Sequence, residues 1–298
     1  MIAALSAIVG QQPSSYCMDP ARPNPCDHSE VVCFLSGIRW QDVHYLRAWL
    51  RAPDQEAKAT NMGHRRNRSK EQGPGGFPKA FDGRMSWQPV HIRTPRDADP
   101  VIKRTTRRLE QLAKDAAERR GWPMTLSHSE EEVFVAIYPE GRGFYNRHRD
   151  VLPYFSREIA PAHGDEQAAP ESAAGATGVS KLVQSMTTDA ALYPQAHRRV
   201  VSIVVQLAEG DGTEAEYEGG RLNVLTGSLD EPHLALPHVN AVRRGSTVVT
   251  APACPGDVII HPAFSVHEVT PVTSGIRESL TWWVPGEVKG ERHDKEDL

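Results

Sequence analysis

The pattern of hydrophobic and polar positions changes along the chain from helical spacing to short β-rich runs. In residues 40–51, apolar positions recur three and four residues apart, which predicts one face of a helix. A longer helix is predicted to begin at Asp99 and Pro100, because Asp caps helices and Pro fits the first turn. Gly121 would end this helix, since glycine adopts the left-handed conformation of a C-cap readily.

After Gly121 the chain is dominated by runs that are rich in β-branched and aromatic residues, and turn residues separate most of them. Many short strands after a few helices favour a β-barrel or sandwich with helices packed outside it. The predicted strands cover residues 31–38, 132–138, 200–207, 221–225, 247–251, 257–261, 266–270 and 278–284.

Composition and charge narrow the class of protein. The chain has 298 residues, of which 39% are hydrophobic and 24% charged, so it can bury a core and is not globally disordered. A net charge of −4 gives no support to a nucleic-acid partner. No apolar run approaches the roughly 20 residues that span a bilayer, so no membrane partner is expected.

The cysteines and the termini bear on the compartment. No pair among the four cysteines has the CxxC spacing of a zinc ribbon or a thioredoxin-type site. We expect free thiols, with a disulfide near the N-terminus as the alternative. The apolar start is a poor signal peptide, which favours a soluble cytoplasmic protein. The alternative is the endoplasmic reticulum, because residues 295–298 (KEDL) resemble a retention signal.

The candidate chemistry centres on His148 and Asp150, which lie two residues apart. On an extended segment such residues point to the same face, so both could reach one metal ion. The third ligand must come from elsewhere, and among 13 histidines His267 is favoured because it lies within a strand–turn–strand segment. Two histidines and one carboxylate form the facial triad of non-haem iron oxygenases, which leaves coordination positions open.

Arg277 follows His267 by ten residues, across an expected hairpin. The planar guanidinium of arginine can bind a carboxylate through two hydrogen bonds. Ser279 lies on the same face of the predicted strand and could share that carboxylate. The alternative is an exposed hairpin arginine that pairs with Glu278 or Glu268.

Together these segments resemble the prolyl-4-hydroxylase-like branch of the iron(II)/2-oxoglutarate-dependent dioxygenases. The resemblance is most specific from Tyr138 to Trp283, and the order of its motifs is that of the family. It implies a mainly β fold with flanking helices around a double-stranded β-helix (jelly-roll) core. The matching segments read YPEGRGFYNRHRD, RRVVSIVVQL, EGGRLNVL, PGDVIIHP and HEVTPVTSGIRESLTWW.

The resemblance also implies a role for each matching residue. It assigns Fe(II) to His148, Asp150 and His267, and 2-oxoglutarate to Arg277, Tyr138 and Ser279. Oxygen would be the second cosubstrate, and ascorbate is a candidate additional cofactor. Hypoxia-factor prolyl hydroxylases have a tyrosine at the position of Gln206, and collagen-type enzymes usually have lysine at that of Arg277. Candidates for the substrate pocket are Tyr145, Gln206 and Trp283.

The implied activity is hydroxylation of a substrate C–H bond with release of succinate and CO2. The favoured substrate is peptidyl proline or another protein side chain, and a free amino acid or other small molecule stays open. A nucleic-acid demethylase is less favoured, because those enzymes tend to carry a second arginine where this chain has Trp283. A non-catalytic β-barrel binding module is also less favoured, since no metal ligand is missing.

The same reasoning divides the chain into three parts. Residues 1–28 are predicted to form a loose N-terminal arm, and residues 29–287 the dioxygenase domain. A flexible insertion at about 156–197 is rich in small and polar residues, and we expect it to include a mobile lid over the iron site. Residues 288–298 form a charged C-terminal tail.

Overall fold

A computed structural model describes residues 12–26, 28–50, 90–141, 143–150, 198–211, 215–227 and 247–288. Three predicted features lie wholly or partly outside these residues. They are the first part of the N-terminal arm, the insertion at about 156–197 with its lid, and the C-terminal tail with its KEDL sequence.

Two antiparallel sheets build the fold. The larger has eight strands, with the main order β1-β10-β6-β12-β4-β2, while β3 and β7 pair with β12; the smaller has the order β5-β11-β8-β9. This confirms the prediction of a mainly β, jelly-roll core. The strands are β1 Val32–Phe34, β2 Val90–Thr94, β3 Met124–Leu126, β4 Val133–Pro139, β5 Tyr145–His148, β6 Arg199–Gln206, β7 Tyr217–Gly219, β8 Leu222–Leu225, β9 Val248–Thr250, β10 Val258–Pro262, β11 His267–Val269 and β12 Val272–Val288.

The described helices are α1 Ser15–Met18, α2 Trp40–Leu50 and α3 Pro100–Arg120. The predicted ends of α3 are confirmed, because the Asp99 side chain accepts a hydrogen bond from the Val101 amide and Gly121 has a φ of 62°. None of the described helices combines the length and apolar character that crossing a membrane requires.

Side chains alternate between the two faces of the larger sheet, and both faces are covered. On the outer face, β12 presents Leu280, Trp282 and Val284, which join buried residues of α2 and α3 in one core cluster. On the inner face, apolar residues of both sheets form a second cluster. Polar side chains on this inner face are therefore enclosed between two layers, where they need hydrogen-bond partners.

The expected hairpin between His267 and Arg277 is wrong. Strand β11 pairs with β5 and β8 of the smaller sheet, whereas β12 pairs with strands of the larger sheet. The turn between them therefore carries the chain from one sheet to the other. A sequence of strand, turn and strand cannot distinguish this crossover from a hairpin, because the partners of both strands lie far away in the chain.

The expectation of free thiols is also wrong. Two disulfides, Cys17–Cys254 and Cys26–Cys33, use all four cysteines. Beside the first disulfide, Arg22 forms a buried ion pair with Asp257, and its Nη1 lies 2.7 Å from Oδ2. The described part of the N-terminal arm is thus attached to the turn before β10.

Removing the long-range disulfide is expected to cost more stability than removing the short-range one. The Cys17–Cys254 bond spans 237 residues and the Cys26–Cys33 bond only 7. In a chain-entropy treatment, loops of these lengths correspond to about 5 and about 2 kcal/mol. Thermal unfolding of C17S/C254S and of C26S/C33S should rank in that order. An equal loss in both variants, or a larger one in the second, would contradict the attachment of the arm.

Candidate metal centre

Neighbouring strands bring the two predicted histidine ligands together. His267 on β11 lies directly opposite His148 on β5, and their ring centroids are 4.1 Å apart. The sequence predicted that Asp150 lies on the same strand as His148. In the structure it lies in the bend that follows this strand. Its backbone N–H donates to the carbonyl oxygen of Ala263 at 3.0 Å, which turns the carboxylate back towards the histidines.

The three side chains are spaced as the ligands of one ion would be. His148 Nε2 lies 3.6 Å from Asp150 Oδ1, and His267 Nε2 lies 3.5 Å from Asp150 Oδ2. Ligands at about 2.0–2.2 Å from a metal, at angles of 90–120°, are separated by about 3–3.7 Å. Among the residues that the structure describes, this is the one cluster with a metal-binding arrangement.

Surrounding groups orient two of these ligands. His267 Nδ1 lies 3.1 Å from the carbonyl oxygen of Ser265, which favours the proton on Nδ1 and leaves the lone pair of Nε2 for a metal. The hydroxyl of Ser202 donates to Asp150 Oδ2 at 2.7 Å. Such contacts behind the ligands fix ring and carboxylate orientation before the ion binds.

The protonation states also suit metal binding, which requires a neutral imidazole and an ionised carboxylate. Burial lowers the pKa of His267 to about 3, and the neighbouring charge of His148 acts in the same direction. Burial alone would favour the neutral acid form of Asp150. The adjacent His267 and His148 and the hydroxyl of Ser202 nevertheless hold the pKa of this carboxyl well below its usual range.

Arg277 lies on the inner face of the larger sheet and is only 1% exposed. Its Nη1 donates to Ser279 Oγ at 3.1 Å, while Nε and Nη2 have no hydrogen-bond partner in the described part of the chain. The ring of Tyr138 packs 4.7 Å from the guanidinium carbon. This is a buried cation with unused donors, which fits an anionic ligand.

The alternative pairing of Arg277 with a neighbouring acid is wrong. Glu278 points to the opposite face, where Arg47 of α2 donates to it at 2.7 Å. Glu268 accepts a hydrogen bond from Arg147 at 3.1 Å. Both acids of the alternative are thus paired with other arginines.

Tyr217 is a candidate site residue that the sequence reasoning missed. It lies opposite Gly275 in the pairing of β7 with β12, and its buried hydroxyl has no described hydrogen-bond partner. The ring occupies space that a side chain at Gly210 would fill, since a Cβ there would lie 2.3 Å from the ring carbon Cζ. Burial raises the pKa of Tyr217, although Arg277 opposes this, so the hydroxyl stays protonated and can donate. The family-like segment EGGRLNVL begins directly after Tyr217 and does not include it.

The three residues assigned to a substrate pocket have different surroundings. Gln206 lies opposite Ser279 and is 1% exposed, and its Oε1 lacks a partner among the described residues. The ring of Tyr145 lies 3.9 Å from that of His148, directly beside the candidate metal centre. Trp283 is less available, because the guanidinium carbon of Arg199 stacks 3.7 Å from its ring.

His261, which the sequence did not favour as a ligand, lies next to the centre without joining the three-residue group. It is fully buried, and its ring centroid is 4.7 Å from that of His267. Its Nδ1 lies 2.9 Å from the carbonyl oxygen of Pro262, and its Nε2 has no partner in the described residues.

Sequence comparison gives relatives of one type. No known family profile matches the chain. A PKHD-type hydroxylase of Synechococcus sp. (strain CC9605) is 33% identical over 92 residues, which are 31% of this chain and 32% of the relative. A PKHD-type hydroxylase of Burkholderia ambifaria (strain MC40-6) is 32% identical over 94 residues, 32% of each chain. The matches span about a third of the length of these relatives, and they confirm the resemblance seen in the motifs.

Structure comparison adds two similar proteins. A Pseudomonas putida prolyl-4-hydroxylase has a TM-score of 0.44 and 17% identity, with 87% of this chain and 93% of that chain covered. A viral collagen prolyl hydroxylase from Paramecium Bursaria Chlorella virus-1 has a TM-score of 0.42 and 12% identity, with 88% and 98% covered.

Replacing any one of the three ligands should abolish tight metal binding. We expect H148A, D150A and H267A each to weaken Mn(II) binding by more than about 100-fold, since even changes behind metal ligands cost 10- to 100-fold. D150E should also fail, because the longer carboxylate misplaces the ligand. Titration of Mn(II) followed by electron paramagnetic resonance measures the effect. H44A on α2 is the control, and parent-like binding by any ligand variant would remove that residue from the centre.

Proposed function

We propose that the protein is an Fe(II)- and 2-oxoglutarate-dependent dioxygenase that hydroxylates a substrate C–H bond. The observation that carries this proposal is Arg277, a buried cation with two donor atoms that have no hydrogen-bond partner among the described residues. It lies on the inner face of the larger sheet, which packs against the smaller sheet that carries His148 and His267. A metal centre alone fits many reactions. A metal centre with an enclosed carboxylate anchor fits a cosubstrate that both chelates the metal and carries a second carboxylate, as 2-oxoglutarate does.

The ligand set fits Fe(II). Two imidazoles and one carboxylate on one side of the ion are the facial triad of non-haem iron oxygenases, and the remaining positions stay open for cosubstrates. Bound Fe(II) would supply the redox chemistry by which 2-oxoglutarate and O2 give succinate, CO2 and a hydroxylated product. The protein's own contribution is binding, orientation and exclusion of water.

The residues around Arg277 are the other candidates for binding 2-oxoglutarate. Ser279 and Tyr217 offer hydroxyls on the same face, and a carboxylate bound there would accept hydrogen bonds from both and from the guanidinium. Tyr138 covers the guanidinium and keeps water away from it. Because the anchor is nearly fully buried, each of these contacts is stronger than it would be in water.

The substrate would approach from the side of His148. The His148 side chain is 26% exposed, whereas those of His267 and Asp150 are 6% and 9% exposed. The Tyr145 ring packs at a tilt against this accessible ring, and Gln206 on the inner face of the larger sheet has an acceptor, Oε1, without a partner among the described residues. Both are therefore candidates for substrate contact. Peptidyl proline or another protein side chain is the substrate class that the family resemblance favours, with a small molecule or free amino acid as the alternative.

The compartment remains a prediction. The sequence favours the cytoplasm and leaves the endoplasmic reticulum as the alternative. The two disulfides support an oxidising compartment, because thiol pairs are kept reduced in the cytosol. Imaging of the protein with both termini untagged would decide between the two.

Substrate identity is best tested by direct detection of oxygen insertion. The parent protein would be incubated with Fe(II), 2-oxoglutarate and O2 against a library of proline-containing peptides and, separately, a metabolite mixture. A mass gain of one oxygen atom, matched by succinate formation and absent in H267A, identifies a substrate. Succinate formation that no candidate stimulates, and that H267A retains, would contradict the proposed function.

Loss of Arg277 should impair the use of 2-oxoglutarate without removing the metal. Truncating one partner of a buried charge pair costs about 2–4 kcal/mol, or roughly a 30- to 1000-fold rise in the 2-oxoglutarate concentration required. We expect R277A to show this rise and to bind Mn(II) as the parent does. R147A is the control, since Arg147 pairs with Glu268 nearby. An unchanged 2-oxoglutarate constant in R277A would place the anchor elsewhere.

The hydroxyl of Tyr217 should contribute to the same carboxylate site. The Y217F variant removes only the oxygen atom, so the fold is expected to be unaffected. A hydrogen bond to a charged group contributes about 1.5–3 kcal/mol, which predicts roughly a 10- to 150-fold weaker 2-oxoglutarate interaction. Y45F is the matched control, because the Tyr45 hydroxyl binds Asp99 at the surface. Equal 2-oxoglutarate constants in Y217F and the parent would exclude this role.

A further inference from the structure

We propose that Arg199 is a positioning residue for the metal ligand Asp150. Its Nη1 donates a hydrogen bond to the backbone carbonyl oxygen of Asp150 at 3.2 Å. This bond links β6, a strand of the larger sheet, to the bend after β5 that carries the candidate ligand. The inference rests on the metal centre of the proposed function and adds a residue that neither binds the ion nor touches the cosubstrate.

Arg199 is itself held firmly enough to act as a support. Its Nε lies 2.8 Å from Oε1 of Glu131, and its Nη2 also binds the Glu131 carboxylate. The guanidinium stacks on the indole of Trp283, with the carbon 3.7 Å from the ring centroid. Because one edge of the guanidinium is used by Glu131 and one face by Trp283, the remaining Nη1 is aimed in a fixed direction.

Asp150 needs such support because it lies outside the strands. Three groups hold it, one after β10 and two on β6: the Ala263 carbonyl accepts from its N–H, the Ser202 hydroxyl donates to its carboxylate, and Arg199 donates to its carbonyl oxygen. The bonds to N–H and C=O fix the peptide units on both sides of the ligand. Without the Arg199 bond, the carbonyl group of Asp150 loses a described anchor and the carboxylate is held less firmly. A shift of about 0.5 Å is enough to spoil a metal site.

The charge of Arg199 is balanced within this arrangement. The side chains of Arg199 and Glu131 are 7% and 9% exposed, so they form a nearly buried ion pair. Removing only one partner would leave an uncompensated buried charge and destabilise the fold. A clean test therefore removes both charges together.

The test compares R199M/E131Q with R47M/E278Q, which removes the Arg47–Glu278 pair on the outer side of the larger sheet. Arg47 also binds Glu216, but this side chain is 28% exposed, so water can solvate its charge when Arg47 is replaced. Mn(II) affinity and thermal unfolding would be measured for both and for the parent. A positioning role predicts a roughly 10- to 100-fold weaker Mn(II) affinity in R199M/E131Q, as for other residues behind metal ligands. The control is expected to lose stability and keep the parent's Mn(II) affinity.

The R199K variant provides the second measurement. A lysine retains the charge and can reach one partner, but it lacks the fork that serves Glu131 and Asp150 together. Its Mn(II) affinity should fall between those of the parent and R199M/E131Q. If the double variant does not fold, R199K decides: parent-like affinity overturns the proposal and weakened affinity supports it. A parent protein that binds no Mn(II) would overturn the metal centre and this inference together, whereas equal binding by parent and variants would overturn only the role of Arg199.

Discussion

The position of Arg277 relative to the metal-ligand cluster depends on the pairing of β12 within the larger sheet. This strand runs from Val272 to Val288 and has partners on both sides, so its register is fixed by several strands at once. The register therefore determines which side chains of β12 point to the inner face and which point to the outer face. A shift by one residue would expose Trp282 to the inner face and turn Arg277 into the apolar core against the helices. The packing of α2 and α3 outside the sheet therefore also determines what lies inside it.

Three other arginines with little solvent exposure show what is unusual about Arg277. Arg22, Arg47 and Arg199 are each buried beside a carboxylate, and each is part of the structural framework. Arg277 is at least as buried, yet its described contacts are a hydroxyl and an aromatic ring. In these three cases the fold supplies an acid beside the arginine. Arg277 has no such acid among the described residues and faces the smaller sheet that carries the candidate histidine ligands, so an anion from outside the chain is the consistent interpretation.

Features that depend on neighbouring residues in the chain could be predicted from the sequence. Features that depend on contacts between distant residues could not. The ends of α3 were predictable because Asp99, Pro100 and Gly121 act within one turn of the helix. The grouping of His148, Asp150 and His267 was predictable from their motifs, and their role as ligands stays a prediction. The crossover between β11 and β12 was not, since hairpin and crossover begin with the same turn residues. Tyr217 lacked a signal for a similar reason: the role proposed for it comes from its neighbour Arg277, which lies 60 positions later in the chain.

The Cys17–Cys254 bond has a consequence for how the protein can be handled. Iron in the proposed centre must be kept ferrous, which calls for a reductant, whereas the sulfur pairs must stay oxidised. Thiol reagents would serve the iron but attack disulfides by exchange. An enediol such as ascorbate acts without a thiolate and would satisfy both requirements at once. In dithiothreitol the Cys17–Cys254 disulfide at the turn before β10 is open to reduction, whereas in ascorbate it stays intact. Samples prepared in the two reagents can therefore differ at this turn even when their iron is in the same oxidation state.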